Sequence, residues 1–157
     1  AEKLHGPVYE ENSGACRFIL CMMAKTGMTQ ETYVDLWRQY DSKQYVWSIE
    51  HIFPQGNNIP QAWVDMIADG DRNKAQGFQA LYVHTFGNLT ITGYNSSLSN
   101  KSFEEKRDRK DNSGKYIGYR NGLNLNADVA DKTAWTVDAI KARTDSMVEK
   151  ILAMFQL

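Results

Sequence analysis

The residues best suited to chemistry are Glu50 and His51, which stand side by side near the end of a predicted strand. A neutral imidazole can accept a proton near working pH, and a carboxylate oxygen can bind a hard cation. On a strand the two side chains point to opposite faces, so they serve one site only where the strand ends or bends. The loop containing Pro54 supplies such a place. Taken alone, the pair is better explained as a surface acid and a structural histidine.

Two further polar segments follow this pair. Residues 86–90 read Phe-Gly-Asn-Leu-Thr, with Asn88 at their centre. Residues 95–101 read Asn-Ser-Ser-Leu-Ser-Asn-Lys and offer two amides, Asn95 and Asn100. Hydrolysis of a phosphodiester needs a base for the attacking water and positive charge on the phosphate. One divalent cation with oxygen ligands, Mg²⁺ or Mn²⁺, suits the second need.

Hydrophobic periodicity and turn signals predict the elements that position these residues. Ser102 and Glu105 fit a capping box, and Trp135 and Ile140 fit a hydrophobic staple around a helix that starts at Thr136. The predicted helices and strands are α-helices at 13–26, 30–40, from Pro60 to 69, 71–81, 103–110 and from 136 onward, and strands at 45–52, 89–92 and, within a loop at 111–127, 116–119. The fold class predicted is α+β, mostly α.

The composition favours one globular domain. The 157 residues carry a net charge of −1, which weighs against a dedicated nucleic-acid binder. Residues 101–120 nevertheless hold seven Lys/Arg against four Asp/Glu. No apolar run approaches the length of a membrane span. Cys16 and Cys21 are read as buried reduced thiols, and with no signal peptide they predict a cytoplasmic protein, expected to be a fragment of a longer one.

The ordered segments resemble the C-terminal HNH (His-Me finger) nuclease domain of GmrSD-type modification-dependent restriction enzymes and related phage-defence proteins. That family follows the pattern acid-His-Ile-x-Pro, Gly-Asn-Leu-Thr, then an Asn-rich turn into a basic helix, and later Trp-x4-Ile-x2-Arg. The matching positions here are Glu50, His51, Ile52, Pro54, Gly87, Asn88, Leu89, Thr90, Ile91, Asn95, Leu98, Ser99, Asn100, Phe103, Lys106, Trp135, Ile140 and Arg143. Ile91 replaces the leucine that is commoner in the family.

The resemblance implies a single domain over 1–157. It has a helical lead-in at 1–44, a ββα-metal core with inserted helices at 45–110, and a loop and C-terminal helix at 111–157. His51 would be the general base, and Glu50 with Asn95 would hold Mg²⁺ or Mn²⁺, with Asn100 as the alternative ligand. An amide where the family more often has His favours these ions over zinc. Asn88 would tie the long loop and so orient His51.

Four basic residues around the predicted helix at 103–110 would contact DNA phosphates: Lys101, Lys106, Arg107 and Lys110. Few phosphates would be neutralised, so binding by this domain alone should be weak and salt-dependent. His84 lies four residues before Asn88. It could be a second ligand, a phosphate contact or, as we expect, a structural histidine close behind the site.

The sequence therefore predicts a bacterial, metal-dependent DNA endonuclease that nicks or cuts duplex DNA in anti-phage defence. It would be delivered to DNA by an N-terminal domain that senses modification and uses a nucleotide, with no membrane involved. Two alternatives stay open. One is a non-catalytic DNA-binding or inter-domain module on the same scaffold, and the other is an RNase or toxin nuclease.

Overall fold

The computed structural model describes residues 1–156, and Leu157, the last residue of the predicted domain, lies outside that part. The fold is α+β, as predicted, with short 3₁₀ turns at Glu2–His5, Phe86–Asn88 and Asn124–Asn126. Its main elements are α1 (Val8–Glu11), α2 (Ser13–Lys25), β1 (Ser48–His51), α3 (Gln61–Ala68), α4 (Arg72–Tyr82), β2 (Leu89–Thr92), α5 (Asn95–Leu98), α6 (Phe103–Asp108), α7 (Ala127–Ala130) and α8 (Val137–Phe155).

The two strands form an antiparallel pair that brings the Glu-His segment against the Gly-Asn-Leu segment. Glu50 pairs with Thr90, and His51 pairs with Leu89. The strand predicted at 45–52 is shorter in the structure, because only residues 48–51 pair with β2. β1 ends at His51, so the chain leaves the sheet at the position where Glu50 and His51 can share one site.

The helices predicted at 13–26, at 71–81, at 103–110 and from 136 onward form close to those bounds. The Asn12, Asp71 and Thr136 side chains each accept a hydrogen bond from the first turn of α2, α4 and α8 respectively. Ser102 and Glu105 form the complete capping box of α6, which ends at Asp108 rather than at 110. Such caps satisfy N–H groups that the first helical turn leaves without partners. These local signals fix where the helices around the site begin.

The helix predicted over 30–40 is wrong. Residues 26–47 form turns and one isolated bridge between Gln39 and Tyr45. The apolar spacing in this segment does not mark a buried helical face, since Tyr33 and Tyr40 are exposed. Instead, the Arg17 guanidinium on α2 donates hydrogen bonds to the carbonyl oxygens of Leu36 and Trp47 and holds the irregular segment. Tertiary packing has overridden local periodicity.

The loop predicted at 111–127 is largely irregular, but the short strand expected at 116–119 does not form. Tyr116 makes only an isolated bridge with Lys110. The backbone here is instead hydrogen-bonded to the end of α6, with Gly118 N donating to the Arg109 carbonyl oxygen and Tyr119 N to that of Lys106. Gly118 packs so closely that a Cβ there would lie 1.8 Å from the carbonyl oxygen of Lys106. In the part of the chain that the structure describes, no helix has the length and apolar character needed to cross a membrane.

The buried apolar residues form two clusters. The first gathers aromatic residues of α3, α6 and the segment before α8, including Trp63, Phe103 and Trp135. The second joins α2, β2 and α8 through residues such as Leu20, Leu89 and Met147. Ile140 and Trp135 share the first cluster, as the predicted staple requires. Apolar residues of β2 and of the 86–88 turn therefore pack into the second cluster, and Ile52 and Phe53, which follow β1, pack into the first.

Candidate active site

A pocket of about 310 Å³ opens where β1 ends. Glu50 and His51 contribute from the strand, and Asn95 and Asn100 contribute from the turn that contains α5. Its other lining residues are Tyr9, Ile49, Pro54, Gln55, Gly56 and Ser99. The structure thus brings together the predicted base, the predicted carboxylate and both candidate amides, although 49 positions separate Glu50 from Asn100 in the sequence.

Glu50 is almost fully buried, and its two carboxylate oxygens have different surroundings. Oε1 accepts a 2.7 Å hydrogen bond from Lys106 Nζ and a 3.3 Å hydrogen bond from Tyr119 OH. Oε2 has no hydrogen-bond partner among the described residues and is not enclosed by protein. Burial raises the pKa of Glu50, and the nearby Lys106 charge opposes that rise. Oε2 is therefore the oxygen available to a ligand in the pocket.

His51 contacts two other aromatic rings, from His84 and Tyr9. Its Nε2 lies 3.1 Å from His84 Nδ1, and the two rings are nearly perpendicular. Tyr9 meets the His51 ring edge-on and stacks on His84. Burial, followed by the His84 and Lys106 charges, lowers the pKa of His51 to about 3. The imidazole is therefore neutral at working pH, and its Nδ1, which has no partner among the described residues, is the free ring nitrogen.

Asn88 is completely buried, and its amide ties together three segments of backbone. Oδ1 accepts hydrogen bonds from Phe53 N at 2.8 Å and from Trp135 Nε1 at 3.2 Å. Nδ2 donates to the carbonyl oxygens of Phe53 and Val83, each at 3.0 Å. Because Phe53 follows His51 by two residues, these bonds hold the start of the loop that leaves β1. The amide lies behind the pocket and does not line it.

Asn95 and Asn100 differ in how they are held. Asn95 Nδ2 donates a 3.3 Å hydrogen bond to the Ile49 carbonyl oxygen, which leaves its Oδ1 free at the pocket. Asn100 makes no side-chain hydrogen bond with the described residues. Glu50 Oε2 and Asn95 Oδ1 are the oxygen types that Mg²⁺ and Mn²⁺ prefer, so the donor set fits such an ion. No group of three His, Cys, Asp or Glu side chains forms a metal cluster within residues 1–156.

A buried arginine on α8 supports the other strand of the site. Arg143 Nη1 donates to the carbonyl oxygens of Gly87 and Leu89, and its Nε pairs with Asp128 at 3.0 Å. Gly87 is required where α8 crosses this turn, because an added Cβ would lie 1.9 Å from the Ile140 carbonyl oxygen. The family-like positions of α8 therefore place the segment that carries Asn88.

The prediction that Lys106 contacts DNA does not fit its position. Its side chain has no solvent exposure, and Nζ donates to Glu50, to the His51 carbonyl oxygen and to the Ile52 carbonyl oxygen. Arg107 is engaged by Asp108 and by the Lys132 carbonyl oxygen. Lys101 and Lys110 are the two predicted contacts whose side chains reach solvent without an acidic partner among the described residues.

Sequence reasoning missed three neighbours of the reactive pair: Tyr9 beside His51, Tyr119 beside Glu50, and the role of Lys106 as the Glu50 counter-ion. For Lys106 a signal existed, since it faces inward one turn after the buried Phe103 of α6. Tyr9 and Tyr119 lie in segments without strong periodicity. Nothing in their spacing indicates which tyrosine reaches the site.

An α+β domain with a carboxylate, a neutral imidazole and free amide oxygens around one open pocket is of the class expected of a hydrolase. Residues 2–150, nearly the whole chain, match the family described as GmrSD restriction endonucleases, C-terminal domain. The chain belongs to that family. A restriction endonuclease family implies hydrolytic nuclease activity on DNA. Neither the search of curated proteins nor the search of solved structures found a match.

Proposed function

We propose that this domain is an HNH-type, metal-dependent DNA endonuclease that nicks or cuts duplex DNA. The observation that carries the proposal is the single pocket in which His51, Glu50 Oε2 and the Asn95 amide meet. Membership of the restriction endonuclease family supports DNA as the substrate. The two strands followed by α5 and α6 have the order of a ββα-metal core, which is the scaffold proposed here.

His51 is proposed to remove the proton from the attacking water through Nδ1. Its low pKa keeps the ring unprotonated throughout the range in which such an enzyme works. A base of so low a pKa holds a proton weakly, so we expect the negative phosphate of bound DNA to raise the His51 pKa toward the working pH. Hydrogen bonds from Lys106 to the His51 and Ile52 carbonyl oxygens fix the backbone that carries the ring. Asn88 fixes the next residues through Phe53 and thereby positions the ring without touching the reacting atoms.

His84 is proposed to orient His51 and to select its tautomer. If Nε2 of His51 carries the proton, it donates to His84 Nδ1, and Nδ1 of His51 keeps its lone pair for the water. The stacked Tyr9 ring limits rotation of both imidazoles. This assigns His84 a position behind the base and makes it neither a metal ligand nor a phosphate contact.

Glu50 Oε2 and Asn95 Oδ1 are proposed to hold the divalent cation, with Asn100 as the alternative to Asn95. Restriction nucleases generally use such ions, and here Mg²⁺ or Mn²⁺ would offset the negative charge that builds on the phosphate. Lys106 holds Glu50 through the opposite oxygen, so the carboxylate is fixed in place before a cation binds. Lys101 and Lys110 supply positive charge for the DNA backbone.

The surrounding biology is part of the same proposal. The domain would act as the effector of a cytoplasmic bacterial anti-phage protein whose N-terminal domain senses modified DNA and uses a nucleotide. Family membership supports the restriction role, and the net charge of −1, with a basic surplus confined to residues 101–120, agrees with delivery to DNA by another part of the protein.

A second candidate is a non-catalytic DNA-binding module. The observation that favours it is the buried Lys106, which already compensates the Glu50 charge and so reduces the attraction of a cation to that carboxylate. This candidate predicts DNA binding without cleavage. It also predicts that Mg²⁺ does not change the stability of the fold.

Supercoiled-plasmid cleavage tests the proposal. The parent chain is incubated at low salt with Mg²⁺, Mn²⁺, Zn²⁺ or EDTA, beside His51→Ala, His84→Asn and His84→Leu. We expect open-circle or linear product with Mg²⁺ or Mn²⁺, a loss of roughly 10²–10⁴-fold for His51→Ala, and a smaller loss for His84→Leu. His84→Asn should restore part of the rate, because its Oδ1 can accept the same hydrogen bond.

Two readings of this assay would contradict the proposal. Equal cleavage by the parent and by His51→Ala would remove His51 from the base role. No product in any metal, from a parent chain whose melting temperature Mg²⁺ leaves unchanged, would favour the non-catalytic module. If His84→Leu cleaves DNA as fast as the parent, His84 does not orient His51. The roles proposed for the other residues would be unaffected.

A further inference from the structure

Arg17, on the second turn of α2, is a buried cation without an acidic partner. It is 9% exposed, and no carboxylate oxygen of the described residues lies within 4.0 Å of its nitrogens. Nε and Nη2 donate to backbone carbonyl oxygens of Leu36 and Trp47. Nη1 has no hydrogen-bond partner, and it is the one buried polar side-chain atom within residues 1–156 in that state. The carbonyl oxygens offset part of the cost of burying this charge, but no carboxylate neutralises it, so the position favours an anion nearby.

Arg17 lines a groove of about 530 Å³ between the beginning of α2 and the beginning of β1, with its unpaired Nη1 enclosed by protein. Arg17 is the one charged side chain that lines it in the described structure, and no acidic residue does so. The remaining lining consists of hydrogen-bonding or small residues and one aliphatic side chain: Tyr9, Ser13, Gly14, Gln44, Tyr45, Ser48, Ile49 and Asn95. A polar groove whose net charge is positive suits an anion better than an apolar ligand or another acidic surface.

The N-terminal end of α2 adds a second source of positive potential. Ser13 and Gly14 are the first residues of this 13-residue helix, and both line the groove. The Asn12 side chain accepts a hydrogen bond from Ala15 N and the Asn12 carbonyl accepts one from Cys16 N, whereas the N–H groups of Ser13 and Gly14 have no acceptor in the described structure. Free N–H groups and the helix dipole both favour phosphate at such an end.

The groove also adjoins the proposed active site. Tyr9, Ile49 and Asn95 line both cavities, so a ligand in one lies next to a ligand in the other. A DNA strand presents a row of phosphates, and one that is cleaved beside His51 must place neighbouring phosphates along the surface next to it. We infer that this groove, formed by the start of α2 and by Arg17, binds a DNA backbone phosphate adjacent to the scissile one.

The inference rests on the proposed function for its substrate, and it makes Arg17 a strand-positioning residue rather than a catalytic one. Tyr45 stacks on the guanidinium, with 3.6 Å between Arg17 Cζ and the ring centroid, and stays 40% exposed. The ring covers one face of the cation and keeps its plane fixed. The segment at 26–47, which the sequence predicted to be partly helical, would then serve to hold one wall of the substrate groove.

The test measures binding rather than cleavage. A fluorescent DNA duplex is titrated with the His51→Ala chain in Mg²⁺ at several salt concentrations, and the same chain is tested with Ser13→Glu, Ser13→Gln or Arg17→Met added. Ser13→Glu places a negative charge in the groove at a helix start where acidic residues stabilise the helix. We expect Ser13→Glu and Arg17→Met to weaken binding several-fold and to lower the salt slope by about 1, while Ser13→Gln binds as before.

The matched control is Lys25→Met, which removes one positive charge from the exposed last turn of the same helix, outside the groove. It should leave the salt slope nearly unchanged. Unchanged binding by a folded Ser13→Glu chain overturns the inference even if Arg17→Met fails to fold, as does a parent chain that binds no DNA. Cleavage by the chain with an intact His51 is scored separately. A groove effect without cleavage would contradict only the nuclease proposal, and His51-dependent cleavage without a groove effect would contradict only this inference.

Discussion

The candidate site has an enclosed side, whose polar groups are paired, and an open side, whose polar groups are free. On the enclosed side, Asn88, Lys106 and Arg143 are buried and use their polar groups to hold backbone or a counter-ion. On the open side, Asn95 and Asn100 are exposed, and the free atoms His51 Nδ1 and Glu50 Oε2 reach the pocket. The difference teaches that the enclosed side can only position, because its donors and acceptors are already paired, whereas the open side has atoms left for a ligand.

Glu50 belongs to both sides, since one oxygen is paired inside and the other faces the pocket. A carboxylate held in this way is preorganised, because its orientation is fixed before any ligand arrives. The enclosed ion pair is not by itself a source of stability, since desolvation of two charges offsets much of their attraction. We therefore expect substitutions on the enclosed side to act on folding and those on the open side to act on chemistry.

The largest effect expected is that of Lys106→Met. It leaves the buried Glu50 carboxylate without its cation and removes donors from the His51 and Ile52 carbonyl oxygens. Breaking a buried pair from one side costs about 3–5 kcal/mol, so the free energy of unfolding should fall by that amount. Urea unfolding followed by circular dichroism measures it.

The double variant Glu50→Gln with Lys106→Met is the control for that prediction. It removes both charges together, so it should recover part of the stability that Lys106→Met loses. It should not recover cleavage, because the carboxylate oxygen at the pocket is gone. If Lys106→Met alone were as stable as the parent, the enclosed side would not depend on this pair and the comparison of the two sides would fail.

Much of the fold could be predicted because its signals are local. Side-chain caps indicate where three helices begin, at Asp71, Ser102 and Thr136. The alternation of apolar and polar residues in β2 indicates a strand. The segment at 30–40 could not be predicted in the same way. Its conformation depends on Arg17 and on rings such as Trp37 that pack near that cation, and these contacts join positions about twenty residues apart.

The candidate site, like the fold, could be predicted only in part from the sequence. The ordered motif pieces predicted that Glu50, His51 and Asn95 would meet, and one pocket does contain them. The residue type of Lys106 suggested a solvated side chain, because a lysine on a basic helix is usually exposed. Its spacing from Phe103 places it on the inward face of α6, but only the packing of α6 against β1 shows that it meets Glu50. The spacing of His84 gave no indication that its ring contacts that of His51.

Asn88→Ala is expected to have the next largest effect. It removes four hydrogen bonds and leaves the Phe53 N–H, the Phe53 and Val83 carbonyl oxygens and the Trp135 Nε1–H without partners in a buried place. Unsatisfied buried groups cost about 1–3 kcal/mol each, partly relieved by relaxation, so a loss of roughly 2–4 kcal/mol is expected. Thermal unfolding and plasmid cleavage, measured on the same preparation, should both decline.

The matched variant is Asn88→Asp, which keeps the acceptor for Phe53 N and Trp135 Nε1 but loses the two donated bonds. If Asn88→Ala melts at the same temperature as the parent but no longer cleaves DNA, Asn88 takes part in the reaction and does not merely hold the loop. Loss of stability without loss of cleavage would show that His51 keeps its place when the loop is released.

The smallest effect is the pH dependence that His51 gives to folding. Its pKa is about 3 in the fold against an ordinary 6.5, so between those values the unfolded chain binds more protons than the folded one. Stability from this residue is therefore complete above pH 6.5 and is lost as the pH falls below it. Between about pH 7.5 and about pH 5.5 the free energy of unfolding should fall by about 1.4 kcal/mol, and urea unfolding in EDTA measures it.

His51→Gln isolates this contribution, because Gln can donate to His84 Nδ1 but does not titrate. The slope of stability against pH should be smaller in this variant than in the parent, while other acidic and basic groups act equally on both. Identical slopes would mean that the His51 ring is hydrated and titrates normally. That result would place the ring on the solvent side of the pocket and would remove the reason for a base that stays unprotonated across the working range.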